Sequence, residues 1–205
     1  MYPVYPHTEP HVSSQLVTAA SEEPVTLDEA RAQLGEPPVE DNDKIQRLIS
    51  TAREILEREY RRACLNQTWD FAVDSLPCGY EPIYLPRSPV VSVSSITSYD
   101  LTNTPVVMSN TNYFVDTLSE PGRIALNSGF TWWTASNGVR ARNTLVVRFV
   151  AGYGTSPDAV PQAIRSAILL LVEGLYNGLC AEGQGPEAWP LGVADLMSSF
   201  DMGWL

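Results

Sequence analysis

Two histidines, His7 and His11, lie four positions apart and are the residues whose spacing most directly suggests chemistry. On a helix this spacing would place both imidazoles on one face, where they could bind a metal ion. Pro6 and Pro10 disfavour a helix here, and no third ligand is evident. We therefore predict no metal site, and a Ser-His-Asp or Cys-His catalytic centre would have to recruit the same proline-rich segment.

The three cysteines, Cys64, Cys78 and Cys180, are widely spaced and form no CxxC pair. Neither a disulfide framework nor a zinc site is predicted from such spacing. This cysteine usage fits a protein that stays in a reducing cytoplasm.

Acid–base catalysis would need two carboxylates that are held close together. Asp70, Asp74, Asp100 and Asp116 instead alternate along predicted strands, as expected of a solvated sheet face. The Gly-Tyr-Gly triplet at 152–154 lacks the third glycine and the lysine of a phosphate-binding loop, so it is predicted to be a turn. We predict no catalytic residue and no cofactor, and the protein is not expected to be an enzyme.

Trp132 and Trp133 lie side by side in a loop rich in glycine, serine and asparagine, GFTWWTASNG. Adjacent rings in a loop could stack on a sugar or a base, so one alternative function is a β-rich carbohydrate- or ligand-binding module. More commonly, one such ring covers the edge of a core or an interface with a neighbour. A ligand-binding module would keep both rings exposed, whereas an interface protein would bury them.

The charge balance of the chain, 13 basic against 24 acidic residues, gives a formal net charge of −11. Such a charge opposes direct binding to nucleic acid and to anionic membranes, because like charges repel. No apolar run approaches the roughly 20 residues of a membrane span, and the first residues lack the order of a signal peptide. We expect a cytosolic protein with no membrane partner.

A short helix is predicted to begin at a capping box. Thr26 followed three residues later by Glu29 has the required spacing, and Val25 can act as a hydrophobic staple. Gly35 is suited to end the helix in a left-handed turn, so the helix is predicted over residues 27–34.

A long amphipathic helix is predicted over residues 43–62, where apolar side chains recur at spacings of three and four. The acidic loop before it, EPPVEDND, lacks the regular alternation and the glycine of a calcium loop. Asp41 or Asp43 is therefore predicted to cap the helix. A second, more apolar helix is predicted over residues 160–176, with Asp158 as its cap, and we expect it to pack on the first.

Between these helices, a period of two and frequent turn residues predict a mainly β region, which we expect to be a small antiparallel sandwich or open barrel. The predicted strands are residues 68–76, 82–85, 90–99, 105–108, 113–117, 123–127 and 144–150. The predicted fold class is α+β, an antiparallel helical unit with an inserted β region and extended termini.

These elements divide the chain into five segments, of which the first is proline-rich and has little apolar periodicity. The segments are an extended N-terminal arm (1–24), N-terminal helices (25–67), the inserted β region (68–153), a C-terminal helix that packs on the N-terminal helices (154–180) and a tail (181–205).

The tail is too apolar to remain free in water and too short to form a core of its own. We predict that it is a docking peptide in which Phe200, Trp204 and Leu205 bind a larger surface. Deletion of residues 198–205 should then leave the protein folded and abolish its attachment to that surface.

Five phrases occur in one order along the chain: VTLDEARAQL, DNDKIQRLISTAREILEREYRRACLNQTWDF, IYLPRSPVVSVSSI, VVRFVAGYG and VPQAIRSAILLLVEGLY. In this combination the chain resembles the head-to-tail connector family of tailed bacteriophages, also called head completion or adaptor proteins. It is also similar to the adaptors of gene transfer agents. Each phrase alone is weak, and their order carries the resemblance.

The resemblance implies a structural protein of the virion neck, the head-to-tail interface, assembled from the host cytoplasm. Such proteins form a ring, a dodecamer, that joins the portal protein of the DNA-filled capsid to the tail or stopper protein. The resemblance makes the portal the expected surface for the tail of this chain. It also implies a channel through which DNA passes without specific binding, and an acidic composition suits such a channel.

Overall fold

The computed structural model describes residues 12–132, 138–178, 189–190 and 192–201. These residues form helices and open β-sheets, so the predicted α+β class is confirmed. None of the described helices is both long and apolar enough to cross a membrane. The described residues fall into two compact units. The β unit consists of residues 12–18, 68–86, 90–132 and 138–150, and the helical unit consists of residues 19–67, 87–89, 151–178, 189–190 and 192–201.

The first helix of the helical unit, α1 (Leu27–Gln33), begins at the predicted capping box. The Thr26 N–H donates to Glu29 Oε2 at 2.8 Å, and the Glu29 N–H donates to Thr26 Oγ1 at 3.2 Å. Both bonds satisfy backbone donors that the helix itself cannot satisfy. Val25 and Ala30, the two residues of the predicted staple, are both buried in the core of the unit. Gly35 has a φ of +76°, so the left-handed ending is confirmed.

The long helix α2 (Asn42–Glu59) carries the predicted apolar stripe, and its stripe is buried. The helix ends before the predicted residue 62 because Arg61 takes a φ of +52°, which turns the chain away from the helix axis. The next backbone donor, the Ala63 N–H, then bonds to the Ser88 carbonyl at 2.9 Å. A bond to a residue distant in sequence thus replaces the last helical turn.

The predicted side-chain caps of α2 and α3 (Gln162–Tyr176) are wrong. Asp41 precedes α2 but makes no capping bond, because its carboxylate accepts a bond from the Tyr176 hydroxyl at 2.6 Å instead. Asp43 lies inside the first turn of α2, where its charge faces the positive end of the helix dipole. Asp158 lies in a short 3-10 helix ahead of α3 and makes no capping bond to it.

One hydrophobic core joins α1, α2, α3 and a short additional helix, α4 (Val193–Met197). The predicted packing of α2 on α3 is confirmed. Helix α4 was not predicted, because residues 181–205 were assigned to a docking tail. The side chains buried in this core include Ile45, Ile49, Leu56, Ile164, Ile168, Leu171, Val193 and Met197.

The predicted Gly-Tyr-Gly turn is a close backbone crossing within the helical unit. Gly152 has a φ of +145°, and a Cβ atom added there would lie 2.4 Å from the carbonyl carbon of Leu65. The Tyr153 N–H donates to the Cys64 carbonyl at 3.3 Å. Glycine is therefore required at position 152 by both the backbone angle and the approach of the other segment.

The β unit contains the seven predicted strands and one more, arranged in a five-stranded sheet of order β1-β2-β8-β4-β5 and a three-stranded sheet of order β3-β7-β6. The strands are β1 (Val12–Thr18), β2 (Gln67–Val73), β3 (Ile83–Tyr84), β4 (Val90–Tyr99), β5 (Pro105–Val107), β6 (Tyr113–Asp116), β7 (Arg123–Leu126) and β8 (Leu145–Ala151).

The additional strand β1 lies within residues 1–24, for which an extended arm but no strand was predicted. β1 is the edge strand of the larger sheet and pairs antiparallel with β2, with Val12 opposite Val73 and Leu16 opposite Trp69. All seven of its residues are exposed. Because neither face of the strand is buried, its sequence lacks the alternation that reveals a half-buried strand.

Candidate functional site

The described part of the chain contains no group of three His, Cys, Asp or Glu side chains placed to hold a metal ion. His7, His11 and Cys180 lie outside the described residues. Cys64 is buried, and burial raises the pKa of its thiol, so it holds little reactive thiolate. Cys78 is exposed. The features that could serve a function are two buried polar clusters, the C-terminal segment and one face of the β unit.

The aspartates predicted to lie on a solvated strand face all have bonding partners in the β unit. Three of them bind arginine side chains with N–O distances between 2.6 and 2.9 Å. The fourth, Asp100, closes a turn by accepting bonds from Thr102 and Thr104. Bonds between arginine and a carboxylate fix the positions of the segments that carry them, which is a structural role. The arginine pairs are Asp70–Arg148, Asp74–Arg142 and Asp116–Arg123.

The first buried polar cluster of the helical unit surrounds Glu57, which is only 7% exposed. One carboxylate oxygen accepts from Arg53 Nη1 at 2.9 Å. The other accepts from the Cys64 N–H at 2.8 Å and from Gln67 Nε2 at 2.9 Å. Arg53 in turn donates to Glu23 at 2.7 Å. Glu57 thus attaches the segment that follows α2, which contains Cys64 and Gln67, to the helix.

Arg53 remains charged in this cluster. Burial by itself would lower the pKa of its guanidinium, but the bond to Glu23 and the charge of Glu57 outweigh burial and raise the pKa above its usual value. The cluster is therefore a set of opposite charges whose hydrogen bonds are satisfied, which is the arrangement in which buried charges are tolerated.

The second buried cluster is centred on Arg62, which is 4% exposed. Its Nε donates to the backbone carbonyl of Phe200 at 2.7 Å, and its Nη1 donates to the Tyr153 hydroxyl at 2.8 Å. The guanidinium carbon also lies 5.3 Å from the centre of the Phe200 ring, within cation–π range. A buried arginine thus fastens the C-terminal segment to the helical unit.

Residues 192–201, which we call the tail root, are folded against the helical unit. Val193 and Met197 are buried in its core, and Phe200 packs against the same core. Trp204 and Leu205, which belong to the tail tip (residues 202–205), lie outside the described residues. The spacing of Val193, Leu196 and Met197 is the sequence signal that could have revealed a short amphipathic helix here.

Trp132 is 2% exposed, and its ring nitrogen donates to the Glu81 carbonyl at 3.2 Å. The ring therefore covers the core of the β unit and is not available for stacking on a ligand or for contact with a neighbouring copy. Trp133 lies outside the described residues. The carbohydrate-binding alternative requires two exposed rings, and the burial of Trp132 argues against it.

The three-stranded sheet presents an exposed apolar face. Tyr84 pairs with Arg123, which pairs with Asp116 on the next strand, so these three side chains share one face. Phe114, two residues before Asp116 on the same strand, is 61% exposed, and Leu118, just beyond the strand, is 95% exposed. We call Tyr84, Phe114 and Leu118 the outer β face. Leu118 follows this face closely in the chain, since its N–H donates to Asp116 Oδ1 at 3.1 Å. Large apolar side chains this exposed are candidates for an interaction surface.

Asp116 gives the outer β face a fixed charged pair. The hydrogen bond from the Ser119 hydroxyl is the main cause that lowers the pKa of Asp116 to about 2, with the Ser119 N–H and the Arg123 guanidinium acting in the same direction. The Asp116–Arg123 pair is therefore fully ionised near neutral pH. A partner on this face would meet an orienting ion pair beside apolar side chains.

The fold resembles three solved structures of gene transfer agent (GTA) particles. They are the neck of an empty GTA particle computed with C6 symmetry (TM-score 0.75, 18% identity, 94% of this chain and 97% of that chain), the virion of a native GTA particle (0.72, 18%, 94% and 96%) and the neck of a native GTA particle computed with C12 symmetry (0.68, 19%, 94% and 97%). The chain has the fold of a GTA neck protein.

At this level of identity the likeness shows a shared fold, and the predicted resemblance is confirmed in that sense. The sequence itself matches no protein-family profile and no curated protein. The likeness to the GTA neck structure covers 94% of the chain, whereas the five phrases span only about residues 25–180. The shared fold therefore extends beyond residues 25–180, to parts of the chain where the sequence had predicted no strand or helix.

Proposed function

We propose that this protein is a structural head-to-tail adaptor, which forms a ring at the neck of a virus-like particle between the portal and the tail or stopper protein. The observation that carries the proposal is the likeness to GTA neck chains over nearly the full length of both chains. The C6 and C12 symmetries of those necks support a ring, and twelvefold symmetry supports a dodecamer.

In this proposal the protein joins the virion neck from the host cytoplasm, and DNA passes through the ring without specific binding. The net charge of −11 supports this, because a surface with excess carboxylates offers DNA phosphates few cations for pairing. Asp70, Asp74 and Asp116 are already paired with arginines, so the charge that repels DNA would lie on other carboxylates.

The location is tested by imaging. Particles are assembled with a version of the protein that carries a gold-binding tag at residue 1, and negative-stain micrographs are scored for the position of the gold. We expect gold at the junction of head and tail, in particles that keep normal morphology. Gold that is spread over the capsid, or found at the distal end of the tail, would contradict the proposal.

A ring with head-to-tail contacts joins two different surfaces of each subunit. We propose the outer β face as one of them, because it combines exposed Phe114 and Leu118 with the ionised Asp116–Arg123 pair. An interface with an apolar centre and a few fixed charges is typical of a specific protein contact.

Replacing Leu118 with aspartate tests this surface. The side chain is 95% exposed, so the melting temperature should be unchanged, whereas an added carboxylate in an apolar contact should reduce incorporation into particles at least tenfold. Incorporation is measured by quantitative immunoblotting of purified particles. Leu101→Asp, at another exposed leucine of the β unit, is the matched control and should incorporate normally. Normal incorporation of Leu118→Asp would exclude this face as a ring contact.

We further propose that the tail tip, with Trp204 and Leu205, docks on the portal, and that the tail root holds it in position. The root supports this division of roles, because Arg62 and the core already bind Phe200. Phe200 is thus assigned to the root and not to the docking tip. The prediction that removal of residues 198–205 would spare folding is revised accordingly.

Two truncations separate the root from the tip. Deletion of residues 202–205 should leave the melting temperature unchanged and abolish co-sedimentation with tailless, DNA-filled heads. Deletion of residues 198–205 also removes Phe200, so it should leave the buried Arg62 with fewer partners and lower the melting temperature by several degrees. If the shorter deletion still bound heads as tightly as the full chain, the tip would have no docking role.

A further inference from the structure

The β unit contains an apolar cleft of about 400 Å³. This volume lies at the lower end of the roughly 300–1,000 Å³ typical of clefts that hold ligands, so it has room for one or two large side chains. Its walls are mainly apolar, and the residues that line it belong to the β unit. The lining residues include Val12, Phe71, Pro77, Cys78, Pro82 and Tyr84.

The position of Val12 connects this cleft to residues 1–11. Val12 is both the first residue of β1 and part of the cleft wall, so the preceding segment starts at the rim of the cleft. Residues 2–6 of that segment read Tyr-Pro-Val-Tyr-Pro and carry no charge. The intervening residues 7–11 can span about 20 Å when extended, which is ample to return residues 2–6 into a cleft that begins beside Val12.

The chemistry of the two surfaces is complementary. Tyrosine rings fill apolar clefts and leave the hydroxyl in water, and prolines reduce the entropy lost when an extended segment is ordered. Grooves lined by aromatic side chains are known to bind proline-rich segments in this manner. No charge in residues 2–6 has to be stripped of water on binding.

We propose that residues 2–6 dock into the Phe71–Tyr84 cleft of the same chain, with Tyr2 and Tyr5 as the anchors. Attachment at Val12 favours the same chain over a second copy, because a short tether gives the segment an effective concentration in the millimolar range. The docked segment covers the apolar cleft that β1 and the loop before β3 leave open.

Disulfide trapping tests the proposal, because Cys78 lines the cleft and is exposed. Val4→Cys is introduced together with Cys180→Ser, and the folded full-length protein is treated with diamide, which takes up the two hydrogens released as the bond forms. A disulfide requires the two Cα atoms to lie within about 7 Å. We expect the introduced thiol at position 4 to form a disulfide rapidly with Cys78 of the same chain, identified by peptide mapping of the monomer band on a non-reducing gel.

The matched control carries the same cysteines with Tyr2→Ser and Tyr5→Ser. If residues 2–6 are docked, loss of the two tyrosine anchors should slow formation of the disulfide at least tenfold. If they are not docked, the two proteins should form it at equal rates. Equal rates, or a bond between position 4 and Cys78 found only in disulfide-linked dimers, would overturn the proposal. A thermal melt of each variant confirms that the β unit is folded, so absence of the bond in folded protein also counts against docking.

Discussion

Replacing Leu56 with aspartate should leave the protein unfolded or insoluble at neutral pH. Leu56 is 1% exposed and lies in the core that joins α1, α2, α3 and α4. Loss of a buried leucine alone costs about 3–5 kcal/mol, and an unpaired buried carboxylate adds to that cost. The sum approaches the whole stability of a typical domain, about 5–15 kcal/mol. Urea unfolding followed by circular dichroism measures the effect.

The pH dependence of this variant identifies the cause. Burial disfavours the charged form, so the pKa of an aspartate at position 56 would be higher in the folded than in the unfolded chain. The stability deficit relative to the original protein should therefore be smallest near pH 4 and grow as pH rises toward the folded-state pKa. Leu56→Asn should show a deficit without this pH dependence, and Gln46→Asp, at an exposed position of the same helix, should be nearly neutral. A Leu56→Asp protein as stable as the original at pH 8 would contradict the burial of Leu56 in this core.

Replacing Glu57 with leucine should destabilise the helical unit by about 3–5 kcal/mol, the usual cost of removing one partner of a buried ion pair. Arg53 would lose one of its two acidic partners in the cluster. The Cys64 N–H and Gln67 Nε2 would lose their common acceptor in a buried site. The measurement is the midpoint of urea unfolding, converted to free energy with the measured slope.

Two further variants separate charge from hydrogen bonding at this site. Glu57→Gln keeps one carbonyl oxygen to accept from the Cys64 N–H, so it should cost clearly less than Glu57→Leu. Glu54→Gln removes a carboxylate that also lies near Arg53, at 3.4 Å, but whose side chain is 71% exposed. It should change stability by less than about 1 kcal/mol. Equal losses for Glu54→Gln and Glu57→Leu would show that burial of Glu57 does not decide its contribution.

The proposed adaptor role gives these internal bonds a physical purpose. A ring subunit must hold its contact surfaces in fixed positions, since a misplaced surface prevents its neighbours from closing the ring. The Glu57 cluster fixes the segment that follows α2, through a buried bond to the Cys64 N–H. The Arg62 cluster fixes the tail root, through a part-buried bond to the Phe200 carbonyl. Charge-assisted bonds of this kind add geometric specificity as well as energy.

Sequence alone determined the features that depend on neighbours within a few residues. The capping box at Thr26 and Glu29, the left-handed Gly35 and the apolar stripe of α2 all follow from spacings of three or four positions or from a single turn residue. The seven predicted strands follow from the period of two and from turn residues between them. These signals are local, because a backbone conformation and its hydrogen bonds are set within one helical turn or one strand.

Only the tertiary structure decided which residues distant in sequence form hydrogen bonds with each other. Asp41 binds Tyr176 instead of capping α2, and Arg62 binds Phe200, 138 positions further along the chain. The edge strand β1 and the short helix α4 both have weak sequence patterns. Strand β1 buries neither face, and α4 has only five residues. Their positions are set by hydrogen bonds and burial against other segments, and the free energy of those contacts exists only once the chain has folded.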